Sequence, residues 1–176
     1  MVSQQQQPQS QYRSHSQGGY STSEVKEFEE KIVQINRVSK KVTGGSKIGF
    51  SVLAVVGDKK GRVGVGLGKA PDVSSAVRKA VSYAKKHLIN VAMRGTSIPH
   101  EVRIKLGAAR IMIKPAPAGT GIRAGGAVRA VVEAAGIRDI VSKILGTDNQ
   151  ASNVYATLEA LKKLKVNKME NGKIKM

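Results

Sequence analysis

The run GTGIRAGGAVR, Gly119 to Arg129, comes nearer to a phosphate-handling motif than any other part of this chain. Gly119, Gly121 and Ala124 fit G-x-G-x-x-A, and Asp139 follows fifteen residues after Ala124, near where a ribose-binding acid would be sought. Such a turn works when a strand passes directly into a helix whose first N–H groups point at a pyrophosphate. Pro115 and Pro117 interrupt that passage, and the segment is too short for a doubly wound sheet. The second glycine run, GVGLGK, misses the Walker spacing: Val63 stands five before Gly68, and Ala70, not Ser or Thr, follows Lys69.

Other chemistry is no better supplied. The twelve carboxylates are scattered, and none pairs with a histidine or serine at a spacing the elements would bring together. His15, His87 and His100 fall in a tail, a basic helix and a strand start, and there is no cysteine for a thiolate metal site, a disulfide or a nucleophile. No enzyme, metal or cofactor is expected.

Charge points instead to a partner. Thirty Lys and Arg against twelve acids give a net +18, which attracts polyanions. No apolar run approaches the ~20 residues of a membrane span, and the opening residues lack the apolar core of a signal peptide. A cytoplasmic protein with no membrane partner is expected. Tryptophan is absent and only two Phe and four Tyr occur, which weakens general base stacking and favours recognition of backbone and shape.

Composition divides the chain into a Gln/Ser-rich tail over 1–23, foldable basic blocks over 24–93 and 94–165, and a lysine-bearing tail over 166–176, both tails reading as disordered. In the first block SEVKEFEEK suits a short helix capped by Ser23. Three strands follow: KIVQINRVSKKV, FSVLAVVG and RVGVGLGK, the last two joined by a turn at Asp58 to Gly61. In the third, Val63, Val65 and Leu67 alternate with Gly64, Gly66 and Gly68, so one face lacks side chains; either another backbone comes close there or the strand is bent. A helix from about Asp72 to Val91 sets Val73, Val77, Ala80, Ala84 and Leu88 inward and Arg78, Lys79, Lys85 and Lys86 outward, with no acid after Asp72 to offset them. These four, with Lys59, Lys60 and Arg62 of the turn and third strand, are candidate phosphate contacts.

Past the linker MRGTSIP, the strands HEVRIKL and RIMIK make a second hairpin. The loop PAPAGTGIRAGG leads to a helix over 127–135, then a strand DIVSKILG and a last helix capped by Asn153, with Leu158, Leu161 and Leu164 inward. The fold class is α+β: two small two-layer domains, a three-stranded antiparallel sheet with one helix, then a sheet with two helices.

Three stretches, INRVSKKVTGGSKIGFSVLAVVGDKKGRVGVGLGKA, IPHEV and KPAPAGTGIRAGGAVRAVVEAAGIRDIVSKILGTDN, resemble bacterial-type small-subunit ribosomal protein five in order and without large gaps, over Phe28 to Leu164. The resemblance implies an N-terminal domain similar to a double-stranded-RNA-binding domain and a C-terminal domain of the ribosomal-five type. It also implies a structural, non-catalytic role in the small subunit near the messenger entry path, supporting assembly and accuracy. The implied partners are small-subunit ribosomal RNA and small-subunit proteins four and eight, with no obligate homo-oligomer. Asn36, Arg37, Ser39, Lys40 and Lys41, with Gly44, Gly45, Ser46 and Lys47, resemble the family's loop that approaches head–neck RNA and influences spectinomycin sensitivity. Cations there neutralise phosphate, and glycines let N–H groups approach it.

Where the family commonly carries two basic residues and an aromatic, this chain has Ser46, Lys47 and Ile48; Val65 and Leu67 replace aromatics, and Gln150 replaces a proline. Gly119, Thr120, Gly121, Arg123 and Arg129 resemble the contact with protein four, where changes matching Gly121 and Arg129 alter accuracy. A free-standing double-stranded-RNA binder is the alternative reading, and a nucleotide-binding enzyme the third.

Overall fold

The computed structural model describes residues 28–165. Both expected tails lie outside this range. Strand β1, Glu29–Val42, pairs antiparallel with β2, Gly45–Gly57, which pairs with β3, Arg62–Ala70. The expected helix over Ser23–Lys31 is not found in its described part, because Glu29, Glu30 and Lys31 lie opposite Gly57, Val56 and Val55 in the sheet.

Helix α1, Val73–Lys86, begins at Asp72, whose side chain accepts the Ser75 N–H, and ends at His87. It therefore stops short of the expected Val91. Ile89 and Asn90 instead form β4, which pairs with Val63 and Arg62 and gives the sheet a fourth, two-residue edge strand in the order β1-β2-β3-β4. An edge partner for β3 satisfies backbone groups that one more helical turn would leave open.

The bare face of β3 meets α1. A Cβ on Gly64, Gly66 or Gly68 would stand 2.3, 2.0 or 2.2 Å from the carbonyl oxygens of Ala84, Ala80 and Ala76. The close backbone is thus the chain's own helix, seated directly on the strand, with Val52, Ala54 and Val56 of β2 completing that core.

The segment expected as a linker packs tightly: Arg94 and Ser97 bridge to each other, and Ile98 is buried. The second sheet has the order β5-β6-β8-β7. Strand β5, Val102–Leu106, and β6, Ala109–Pro115, form the expected hairpin, and β8, Ile140–Ile144, pairs antiparallel with β6. Strand β7, Ile122–Arg123, is a two-residue parallel addition within the Pro/Gly loop. Helix α2, Gly126–Ala135, ends at Gly136, whose left-handed φ of 88° suits glycine.

Helix α3, Gln150–Lys162, is capped by Asn149, whose side chain accepts from Ala151 and Ser152. The expected cap, Asn153, lies inside the first turn, buried, with its Nδ2 donating to the Thr147 carbonyl.

The two halves share one core. Leu53, Val55, Val63 and Val65 leave the first sheet on the face away from α1 and join Ile111, Val131, Ile140 and Leu161 in a single buried cluster. Leu67, next in that alternation, stays 41% exposed, so the shared core ends before the far part of the sheet.

Candidate nucleic-acid interface

Beyond Phe50, where β3 ends its pairing, β1 and β2 continue as a two-stranded arm whose turn is Thr43-Gly44. Every residue from Ile35 through Ile48 is exposed. The segment that resembles a loop is therefore mostly strand: Asn36, Arg37, Ser39, Lys40 and Lys41 lie on β1, and Gly45, Ser46 and Lys47 on β2. Gly44 and Gly45, with φ of 92° and 149°, make the reversal.

Register sorts the arm into two faces, since residues directly opposite share a face. Arg37, Ser39 and Lys41, opposite Phe50, Ile48 and Ser46, lie on the α1 side of the sheet. Lys40 stands directly opposite Lys47 on the other face, with Asn36 opposite Ser51 further along. Ser51 is in turn opposite Lys69 of β3, which sequence reasoning passed over although it continues the Val63, Val65, Leu67 alternation. Lys40, Lys47 and Lys69 line one shallow groove of about 440 Å³ at the base of the arm. From Asn36 to Lys47 there is no acid. Like charges directly opposite are unfavourable by themselves, so this pair is better suited to an anion lying across it than to an empty surface.

The other expected cations are dispersed. Lys59, Lys60 and Arg62 lie at the opposite end of β2 and β3 from the arm. Lys59 Nζ is 2.8 Å from Glu29, and Arg62 Nε is 2.7 Å from Asp58, with the Arg62 guanidinium 5.2 Å from the Phe28 ring centroid. Burial alone would raise the Asp58 pKa, but the Arg62 side chain and the N–H groups of Arg62 and Lys60 outweigh it and hold Asp58 below the usual range. The backbone of this turn is committed as well: the N–H groups of Lys59 and Gly61 donate to the carbonyls of Ala134 and Ala135, satisfying the end of α2.

On α1, Arg78, Lys79, Lys85 and Lys86 are exposed. An acid does offset one of them: Glu30 of β1 reaches Lys85 at 2.9 Å. The stretch of cationic face with no acid partner among the described residues is therefore that of Arg78, Lys79 and Lys86, with Arg78 reaching the Ser75 hydroxyl and Lys79 Nζ 3.5 Å from the Lys69 carbonyl.

The Gly119–Arg129 segment answers the phosphate question directly. The Gly121 N–H donates to Asp139 Oδ1 at 2.9 Å, and Asp139 is 4% exposed. A hydrogen bond from Thr96, then the N–H groups of Gly121, Gly119 and Thr120, hold the Asp139 pKa below the usual carboxylate range. Within the would-be phosphate cradle the Gly121 N–H is thus taken by the chain's own carboxylate and the Thr120 N–H donates to the Pro117 carbonyl, and that carboxylate would repel a pyrophosphate. Gly119 and Gly121 have φ of 88° and 73° with open space about them, so their glycines are demanded by the backbone conformation.

Arg123 lies on β7 and Arg129 on α2. Arg129 Nε is 2.6 Å from Glu133, which Lys31 of β1 reaches at 2.5 Å from the first half. Among the described residues no cluster of three or more His, Asp or Glu could hold a metal ion, and no helix is long and apolar enough to cross a membrane.

A family model for the N-terminal domain of ribosomal protein S5 matches residues 28–92, and the model for its C-terminal domain matches residues 104–171. Together they span most of the chain, in the order in which the two sheets occur. This chain belongs to the ribosomal protein S5 family. It is a structural, ribosomal protein of the small subunit, and its α+β architecture is that of the S5 N- and C-terminal domains in succession.

Proposed function

We propose that this S5-family protein binds small-subunit ribosomal RNA chiefly through the β1–β2 arm, with the Arg78–Lys86 face of α1 as a second contact. The observation that carries the reading is the pairing of Lys40 with Lys47 on an exposed, acid-free arm. Lys40, Lys41, Lys47 and Arg37 neutralise phosphates, while Asn36, Ser39, Ser46 and the Gly44-Gly45 backbone supply hydrogen bonds. Lys59, Lys60 and Arg62 take a lesser part, as phosphate contacts at the far end of the sheet.

The segment Gly119, Thr120, Gly121, Arg123 and Arg129 is the contact with small-subunit protein four, and the region before α3 faces protein eight. The protein thereby supports assembly and decoding accuracy near the messenger entry path in cytoplasmic ribosomes.

The test is co-sedimentation. Stoichiometric protein in small subunits after a high-salt wash is expected; protein found only in the free pool overturns the ribosomal placement and leaves a free-standing RNA binder. For binding to isolated RNA, neutralising about six to ten phosphates predicts a loss of ~10³ to 10⁵ in affinity between about 50 and 200 mM salt.

A further inference from the structure

Tyr83 is the one exposed Phe or Tyr among the described residues, 47% accessible on the outer side of α1. It is not alone there. Its ring stacks on His87, one turn later, with centroids 4.2 Å apart and planes 24° apart. His87 Nδ1 lies 2.9 Å from the Tyr83 carbonyl oxygen, which can only accept, so Nδ1 carries the hydrogen and the imidazole is fixed in orientation.

The surroundings are cationic. Arg78, Lys79, Ser82 and Lys86 line a shallow depression with Tyr83. No Asp or Glu occurs from Val73 to Lys86, and Glu30, which reaches this helix from β1, is taken up by Lys85. A stacked pair of rings held in place costs little entropy to use, and cations beside it suit the phosphates that flank a base.

We propose that the Tyr83–His87 pair is a stacking platform for one unpaired nucleobase of RNA, with Arg78, Lys79 and Lys86 on the adjoining phosphates. This rests on the RNA-binding reading above and adds to it a preference for a bulged or unpaired base beside a duplex. Such a preference is local: the scarcity of aromatics elsewhere leaves the arm to read backbone.

The test uses the full chain and two short RNA duplexes, identical except that one carries a bulged 2-aminopurine. The platform predicts tighter binding of the bulged RNA with quenching of its fluorescence. Tyr83→Ala should lose the quenching and weaken the bulged RNA by about 5- to 150-fold, the range for one stacked base, while leaving the perfect duplex nearly unchanged. Tyr83→Phe should keep both properties.

Equal weakening of both RNAs, or no effect of Tyr83→Ala on a chain that still loses RNA with Lys47→Glu, overturns the platform and leaves the arm's role standing. Failure of the unaltered chain to bind either RNA overturns both. Release of a neighbouring protein from washed subunits by Tyr83→Ala, with RNA binding intact, assigns the rings to a protein contact and also overturns the platform.

Discussion

Asp139 Oδ1 accepts the backbone N–H of Gly121 at 2.9 Å, joining the start of β8 to the loop that precedes β7. The bond holds the 119–129 segment in shape from inside the molecule. It also gives that segment an acid dependence. Because the folded pKa of Asp139 is lowered, its contribution is fully present above the ordinary Asp value of about 3.9 and is lost as pH falls through the lower folded value. Asp139→Asn should therefore reduce stability at neutral pH and flatten the acid limb of a plot of urea midpoint against pH. An unchanged limb would mean that the carboxylate is not held as described.

The seat of α1 on β3 leaves no room for a methyl group. Gly66→Ala, whose Cβ would lie 2.0 Å from the Ala80 carbonyl, should cost about 1–3 kcal/mol and lower the melting temperature by roughly 3–10 °C. Gly126→Ala, at the open start of α2, is the matched control and should gain about 0.4–1 kcal/mol. Thermal unfolding of the two variants side by side checks both signs.

Lys47→Glu has opposite effects on two observables. Facing Lys40, the new carboxylate replaces repulsion with attraction, so stability should rise by about 0.2–1 kcal/mol. RNA affinity should fall, and the slope of log affinity against log salt should shrink by about 1 for each phosphate no longer neutralised. A variant that is more stable and binds RNA as well as before would remove the arm from the interface.

Glu133 is held below the usual carboxylate range by Lys31 first and Arg129 second. The Arg129 side chain is 58% exposed, so its pair with Glu133 is worth only about 0.3–0.5 kcal/mol. Arg129→Glu should thus shift stability by less than about 1 kcal/mol, leave RNA binding unaltered and reduce retention of protein four in reconstituted subunits. If RNA binding fell to the extent expected of Lys47→Glu while protein four stayed docked, the division of tasks between the two halves would be wrong.

Strands were legible where period two is strict. The alternation of Val63, Val65 and Leu67 with three glycines located β3 and its two faces, and even the idea of a close backbone, though not that the backbone is α1. Caps were less legible, because Asn149 and Asn153 have equal propensity and only the buried position of Asn153 separates them. The short pairings β4 and β7 have no local signature: Ile89–Asn90 could continue a helix, and only the open edge of β3 gives them another use.

The candidate arm was visible as an acid-free cationic stretch, but its two faces depend on register. The partners of Lys59, Lys85 and Arg129 come from β1 or from the i,i+4 neighbour. Charge counting along the chain does not show the long-range pairs. Tyr83 of α1 and His87 at its C-cap stand four residues apart in the sequence, the spacing at which helical side chains meet, yet low overall aromatic content points away from stacking.

The shared core has a consequence for synthesis. Leu53, Val55, Val63 and Val65 emerge early, and the residues that cover them extend to Leu164, roughly a hundred positions later. At about 5–20 residues per second, the nascent chain carries that uncovered apolar face for about 5–20 s, long enough for a chaperone at the exit tunnel to find it.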